Sequence, residues 1–238
     1  MRPIIILCAT LTLTGCASDG SLPWLNIGTQ VARDLGYGDS AQIASGIKQA
    51  LDIGSQRAST SLSVENGYAA MGYPLSLPPA LQPVTDTLKR VGMGSYVARV
   101  ETAMYRGAEQ AAAEALPVFQ QAIRAMTITD ALGIVRGDDT AATRYFRGQT
   151  ESVLRQRYQP IIRQNLESTG FYSQYTAMLD VYNALPLTNR PNLNVEEQLL
   201  TQSLNALFGR MAEEEKLIRE APVARGSALI GAVFGGNP

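Results

Sequence analysis

Acidic side chains interrupt the predicted apolar faces of two helices, and their residue type is the one that acid–base catalysis uses. Glu101 lies within the apolar face of a helix predicted over residues 95–115. Glu215 lies close to the middle of the apolar face of the last long helix. Arg157 shares a predicted face with apolar residues of a third helix. Because a lone charge inside a protein is very costly, we expect these three side chains to pair in the interior.

The predicted interior polar cluster sets the two glutamates against Arg157. Three further charged residues lie near its edge: Arg106, Glu109 and Arg219. An arginine suits such a place, because its stem can lie along apolar surface while its guanidinium pairs with two oxygens. In the run of glutamates at 213–215, only Glu215 is predicted to face the interior. Three interpretations stay open: the cluster fixes helix register, the charges face water, or Glu101 and Glu215 serve as acid and base.

The residue inventory removes several classes of catalytic site. The 238 residues include no histidine and two cysteines, Cys8 and Cys16. Ser-His-Asp catalysis, Cys-His catalysis and Cys/His metal sites cannot be assembled from these residues. No glycine pattern typical of a nucleotide-binding loop occurs. We therefore expect no metal and no cofactor, and the inventory favours a role without catalysis.

Composition bounds the size and the partners of the protein. The length fits one domain, and the hydrophobic fraction of 45% is enough for a substantial core. The formal net charge is −1. A surface that binds nucleic acid usually needs a marked excess of lysine and arginine, so we expect no nucleic-acid partner.

The amino terminus has the pattern of a secretory signal. In residues 1–15, Arg2 is followed by an apolar stretch of roughly ten residues, about half of what a membrane-spanning helix needs. The sequence Leu13-Thr14-Gly15-Cys16 resembles the lipobox of bacterial lipoproteins. In that family a signal peptidase cuts before the cysteine, whose sulfur is joined to a diacylglycerol. The resemblance implies that Cys16 is the lipid attachment site and that the protein contacts the membrane through it.

The residue after the cysteine bears on the destination of the protein. By similarity with Gram-negative lipoproteins, Ala17 favours export to the outer membrane, and we expect the protein to face the periplasm there. The inner membrane stays the alternative. Cys8 would leave with the signal, and Cys16 would carry lipid, so the mature chain would have no disulfide. Its stability would then come from packing.

Helical periodicity, with start and stop signals between segments, continues from residue 39 onward. We therefore predict an all-α fold: a single multi-helix globular domain over 39–238, behind a signal peptide at 1–15 and a lipidated tether at 16–38. Asp39, Thr127 and Asn194 are predicted helix caps, as is Asp138 or Asp139. The predicted helices cover 39–62, 81–91, 95–115, 117–126, 127–137, a long helix from about 139 that Pro160 kinks or divides, 171–185, 194–220 and a short segment to 234. A loop is predicted over 63–78, and a linker over 186–194.

Three stretches resemble a known bacterial family. They are "AMYRGAEQAAAEALPVFQQAI" at 103–123, "MTITDALGIVRGDDTAATRYF" at 126–146 and "EEEKLIREAP" at 213–222. Together they look like the family catalogued as domain of unknown function 4197, with a likeness over roughly residues 39–235. The resemblance implies a helical, exported protein, and it implies no activity.

The sequence therefore favours a non-enzymatic envelope lipoprotein, a helical module that binds an envelope protein, a lipid or a small ligand. A carboxylate-dependent hydrolase that uses Glu101 and Glu215 is one alternative, and a purely structural scaffold is another. An open cleft containing both carboxylates would favour the enzyme. A closed cluster would favour the binding module.

Overall fold

The structure, a computed structural model, describes residues 40–168, 170–184 and 194–234. Within these ranges it contains helices and no strand. In chain order the elements are α1 Ser40–Ser63, α2 Gly67–Ala70, a 3₁₀ turn at Pro79–Leu81, α3 Gln82–Arg90, α4 Gly94–Ala113, α5 Ala115–Ala125, α6 Ile128–Val135, α7 Ala141–Ser168, α8 Phe171–Ala184, α9 Val195–Glu220, α10 Pro222–Arg225 and α11 Ala228–Phe234. The all-α prediction is confirmed, and these helices form one domain around a shared core.

Several predictions concern residues outside the described ranges. They are the signal peptide at 1–15, the tether at 16–38 with Cys16, the cap at Asp39 and residues 186–193 of the linker. These stay predictions. None of the helices in the described ranges is long and apolar enough to cross a membrane.

Local capping signals place the starts of two helices correctly. At α6, Thr127 Oγ1 accepts the Asp130 N–H at 3.1 Å, and Asp130 Oδ2 accepts the Thr127 N–H at 3.0 Å. Hydrogen bonds from Thr127 lower the pKa of the Asp130 carboxyl. At α9, Asn194 Oδ1 accepts the Glu197 N–H at 3.1 Å. Each bond satisfies a donor that the first turn of a helix leaves free, so both helices begin where the sequence predicts.

The core face of α7 winds around the helix instead of following a straight line. Its buried residues recur at every fourth position: Ala142, Phe146, Thr150, Leu154, Tyr158, Ile162 and Leu166. Four residues turn an α-helix by about 400°, so each step rotates the face by about 40°. This rotation lets α7 contact α4, α5, α6, α8 and α9 along its length.

That winding corrects the predicted position of Arg157. Val153 and Arg157 are each one residue away from the buried series, and their side chains are exposed. The prediction placed both on a straight apolar face. Pro160 does not divide α7, which continues to Ser168. Pro160 and Gln156 are both exposed, so water can take the carbonyl that loses its partner one turn before the proline.

Smaller differences occur between α1 and α4. The predicted loop at 63–78 contains the short helix α2. Val91, the last residue of the helix predicted over 81–91, has the spacing of the apolar face formed by Leu81, Val84 and Leu88, but it is 64% exposed. The other predicted residues of that face, Leu81, Val84 and Leu88, are buried. The helix ends one residue before Val91, which explains why its side chain leaves the core.

Two fully buried tyrosines differ in how their hydroxyl groups are paired. The Tyr68 hydroxyl donates to the Ala108 carbonyl at 3.2 Å, whereas the Tyr158 hydroxyl has no hydrogen-bond partner among the residues that the structure describes. Burial raises the pKa of both groups, so each hydroxyl stays protonated. The pair therefore offers a matched test of what a buried hydroxyl contributes.

We expect Tyr158→Phe to leave the free energy of unfolding unchanged or to raise it by up to about 1 kcal/mol, because no bond is lost. Tyr68→Phe should lower the free energy of unfolding by about 1 kcal/mol, and the melting temperature by about 2–4 °C. Thermal unfolding followed by circular dichroism measures both variants. A larger loss for Tyr158→Phe than for Tyr68→Phe would contradict the assigned pairing.

Candidate functional site

Three glutamates are buried among the described residues, and each marks a different polar site. They are Glu109 at 4% exposure, Glu214 at 2% and Glu215 at 9%. A buried carboxylate needs hydrogen bonds or a countercharge to offset its lost hydration. The partners of each glutamate therefore show what its site does.

Glu215 binds the first turn of α7. The Ala142 N–H donates to its Oε1 at 2.9 Å, and the Thr143 N–H donates to its Oε2 at 2.9 Å. The Thr143 hydroxyl also donates to Oε2, at 2.9 Å. The N-terminus of a helix attracts an anion because its first N–H groups are free and the helix dipole is positive there. Glu215 thus caps α7 from a distant helix.

Asp138, which the sequence predicts as a cap of the same helix, lies just outside it. Its Oδ1 accepts the Thr140 N–H at 3.0 Å and pairs with Arg144 at 2.8 Å. Hydrogen bonds, first from Arg144 and then from Thr140, lower the pKa of Asp138 to about 2. The approach to α7 is therefore held locally, and its first turn by Glu215.

Arg219 continues this arrangement on the next turn of α9. Its Nη2 donates to Glu215 Oε1 and to the Ile134 carbonyl, both at 2.9 Å. Ile134 lies in the last turn of α6, where the helix dipole favours a cation. The guanidinium also lies over the Phe234 ring of α11, 5.0 Å from its centre. We call this set of contacts the Glu215–Arg219 junction.

The junction is closed and structural in character. A small, mostly apolar cavity of about 30 Å³ adjoins it, lined among others by Ile47, Ile218 and Phe234. That volume is close to the share of one water molecule in the liquid. Glu215 already accepts hydrogen bonds on both oxygens. Such a carboxylate serves to hold helices together.

Glu109 and Arg106 form a second site, at the start of α2. Glu109 Oε1 accepts the Asn66 N–H at 2.7 Å, and Glu109 Oε2 pairs with Arg106 Nη1 at 2.9 Å. Arg106 also pairs with Glu65. Asn66 has a φ of 58°, in the left-handed region that asparagine tolerates better than most residues. Glu109 therefore stabilises the tight turn between α1 and α2.

The single interior cluster predicted from the sequence is thus divided in the structure. Glu215 pairs with Arg219, and Glu109 with Arg106, at separate places. Arg157 is exposed and lies 3.7 Å from Glu114 of α5. Glu101 is partly buried and has no hydrogen bond or ion pair with any described residue.

Glu214 is the buried residue that the sequence prediction missed. The sequence predicts that Glu214 faces solvent within the run of glutamates at 213–215. It is instead the least exposed of the three buried glutamates. It follows Leu207 and Met211 at helical spacing, and Arg210 precedes it by four residues. An arginine four residues before a glutamate on an apolar face is a signal that could have identified it.

Glu214 lies at the floor of an open cleft of about 500 Å³ between α1 and α9. The cleft is lined by Gln56, Arg57, Thr60, Ser61, Arg210 and Glu214, and we call it the arginine cleft. Glu214 Oε1 is hydrogen-bonded to Arg210, while Oε2 accepts no hydrogen bond from any residue in the described ranges. Arg57 Nη1 lies 3.6 Å from Oε2, and Arg225 Nη1 of α10 lies 3.9 Å from it. Three arginines from three helices therefore surround one buried carboxylate.

The neighbouring Glu213 holds Arg210 in place from the other side. Arg210 Nη1 donates to Glu213 Oε2 at 2.6 Å, and the Tyr73 hydroxyl donates to Glu213 Oε1 at 2.7 Å. Burial, and then Glu213, raises the pKa of Tyr73 to about 12. The hydroxyl therefore stays a donor at neutral pH. Gly209 permits the close approach of the Tyr73 ring, because a Cβ there would meet its hydroxyl oxygen at 2.5 Å.

No group of three or more acidic, histidine or cysteine side chains placed to hold a metal ion occurs within the described ranges. The candidate site is therefore one of arginine and glutamate side chains.

A family model described as "Protein of unknown function (DUF4197)" matches residues 38–235 of the chain. No curated protein and no solved structure matches it. The matched range contains the three stretches on which the sequence resemblance rests. It also contains every residue of the Glu215–Arg219 junction and of the arginine cleft.

We expect Glu215→Gln to lower the free energy of unfolding by about 3 kcal/mol, because it leaves the guanidinium of Arg219 without its countercharge. The melting temperature should fall by about 6–12 °C. Glu101→Gln is the matched control, since Glu101 has no described partner, and it should melt like the wild type. Differential scanning calorimetry compares them. Equal melting of Glu215→Gln and the wild type would show that the junction does not stabilise the fold.

Proposed function

We infer the function from the residues of this chain itself, because the chain belongs to the family described as protein of unknown function (DUF4197), a description that states no activity. We propose a lipid-anchored module of the bacterial envelope that binds a ligand in the arginine cleft and does not catalyse a reaction. The anchor would be Cys16 in the outer membrane, and the helical domain would face the periplasm.

The charged groups around Glu214 that lack hydrogen bonds support binding more than any other observation. Glu214 Oε2 is buried and accepts no hydrogen bond from the described residues, and two arginines beside it, Arg57 and Arg225, donate no hydrogen bond to a described acceptor. Oε2 itself is buried, whereas the Arg57 and Arg225 side chains above it are half-exposed, and Arg57 lines a cleft that is open to solvent. Charged groups left incompletely paired at an accessible site are what a ligand can use.

Catalysis by Glu101 and Glu215 has less support than binding in the arginine cleft. Glu215 uses both oxygens to hold α7 and Arg219, so its lone pairs already have partners. Glu101 shares no described hydrogen bond or ion pair with it. An acid–base pair must bring both groups within reach of one reacting bond.

The amino-terminal sequence supports the anchor. A short apolar stretch followed by Leu-Thr-Gly-Cys fits cleavage before Cys16 and attachment of lipid to its sulfur. Each buried methylene contributes about 0.8 kcal/mol, and one acyl chain alone holds a protein only marginally. A diacylglyceryl group carries two chains, which is enough for stable attachment.

We expect radiolabelled palmitate to appear on the wild-type chain expressed in a Gram-negative bacterium, and to be lost from Cys16→Ser. Cys8→Ser is the matched control, because it removes the other cysteine and should keep the label. Mass spectrometry of the mature chain should find a modified Cys16 as its first residue. Absence of label from the wild type, or an intact Met1, would overturn the anchor.

The binding role is tested separately, by photo-crosslinking in intact cells. A photoreactive residue in place of Gln56, which lines the arginine cleft, should capture an envelope component that mass spectrometry can identify. The same residue in place of Gln149, exposed on α7, is the control. The adduct at Gln56 should weaken when Arg57→Gln is added. Equal capture at both positions, or none at Gln56, counts against a ligand in the cleft.

A further inference from the structure

We propose that a phosphate group binds at the edge of the arginine cleft, held between the guanidinium groups of Arg57, which lines the cleft, and Arg225, which lies beside it. The inference deepens the proposed function by naming the ligand class, and it rests on that function only in assuming that the cleft binds. The phosphate could belong to a phospholipid headgroup or to free phosphate, and the chemistry of recognition would be the same.

The guanidinium groups of Arg57 and Arg225 have N–H donors that form no hydrogen bond with a described residue. Their side chains are each 42% exposed, and their only described ion-pair partner is Glu214 Oε2. At 3.6 and 3.9 Å these contacts are too long to be hydrogen bonds, so neither guanidinium has a hydrogen-bonded acceptor among the described residues. A guanidinium presents five N–H donors in a planar fork that matches phosphate oxygens. An oxyanion is therefore the ligand that these side chains suit.

The charges around the cleft also favour an anion. The three arginines carry +3, while Glu213 and Glu214 carry −2, which leaves a local charge of +1. Arg210 is bonded to both glutamates and balances one of their two charges, so the remaining negative charge balances only one of the two outer arginines. Arg57 and Arg225 repel each other, and Glu214 Oε2 offsets only part of that repulsion, so a further anion between the two guanidinium groups would lower it.

The buried ion pair of Arg210 and Glu214 fixes the floor of the arginine cleft before a ligand binds. Arg210 is 17% exposed and lies against a glutamate that is 2% exposed, so neither can move far without exposing a charge to the core. The floor of the cleft is thereby fixed, and the outer arginines are drawn toward it by Glu214. Preorganised charged groups lose less free energy when a ligand binds.

Neutral donors complete the wall that α1 contributes. Thr60 and Gln56 line the cleft, and their side chains make no described hydrogen bond. A threonine hydroxyl and a glutamine amide can each donate to a phosphate oxygen that the arginines leave free. The hydroxyl of Ser61, by contrast, already donates to the Ala58 carbonyl at 3.0 Å.

The test is a ³¹P NMR titration of the purified full chain in an uncharged detergent. The probes are inorganic phosphate, dihexanoyl phosphatidylglycerol and dihexanoyl phosphatidylcholine. We expect saturable broadening of at least one phosphorus signal by the wild type. Arg57→Gln and Arg225→Gln should each weaken that affinity by about tenfold or more, since a charge-assisted hydrogen bond is lost.

Arg124→Gln is the matched control, because Arg124 is an exposed arginine on α5 outside the cleft, and its affinity should equal that of the wild type. Arg57→Lys keeps the charge without the fork and should bind with intermediate affinity, which keeps the test informative if Arg57→Gln unfolds. Binding of phosphatidylglycerol in preference to inorganic phosphate identifies a headgroup, and the reverse identifies free phosphate. Either result supports the site.

No saturable broadening by any probe, or equal affinity in Arg57→Gln and Arg124→Gln, overturns the phosphate site. Palmitate labelling of Cys16 does not depend on the cleft, and crosslinking from Gln56 does not presuppose phosphate. A negative titration with positive labelling and crosslinking would therefore remove the ligand class alone.

Discussion

The buried ion pair between Glu215 and Arg219 is the constraint on which the arrangement of the helices depends. Apolar faces alone would let neighbouring helices slide or rotate with little change in buried area, whereas an ion pair with fixed partners allows one register. Glu215 satisfies the N-terminus of α7, and Arg219 satisfies the C-terminus of α6. Both charges also match the dipole of the helix end that they contact. Buried ion pairs add little net stability compared with apolar residues, so their main effect here is to select one packing of the helices.

Two adjacent glutamates of α9 lie in different polar sites. Successive helix residues point about 100° apart, so Glu214 and Glu215 face different neighbours. Glu215 turns toward α7 and ends in a closed site, while Glu214 turns toward α1 and ends at the floor of the arginine cleft. The junction fixes the rotation of α9, and that rotation sets where Glu214 lies. The Glu215–Arg219 junction thus positions the arginine cleft, although no described hydrogen bond or ion pair connects the two sites.

The fold was predictable from the sequence because its signals are local. Capping at Thr127 and Asn194 and the apolar spacing of each helix act within a few residues, so they can be read without knowing the neighbours. The candidate site was less predictable, because it depends on which helix lies opposite. A straight apolar face predicts that Arg157 lies in the interior. The buried face of α7 instead rotates around the helix axis along its length, and Arg157 lies outside it. The burial of Glu214 is hard to predict, because a run of three glutamates is typical of a surface that faces solvent.

The ion pair between Arg225 and Glu214 connects the C-terminal segment to the rest of the domain. Arg225 comes from α10, and α11 after it packs on α1, where Leu229 lies close to Gly46. The Ser227 hydroxyl donates to Gln49 Oε1 at 2.6 Å, so the segment is tied to α1 by polar contacts as well. An anion held between Arg57 and Arg225 would add a further connection between α1 and α10. By linkage, a ligand that needs both arginines must stabilise the docked segment by the same free energy that docking contributes to ligand affinity. If the proposed anion binds both arginines, its binding and the docking of the C-terminal helices are therefore coupled.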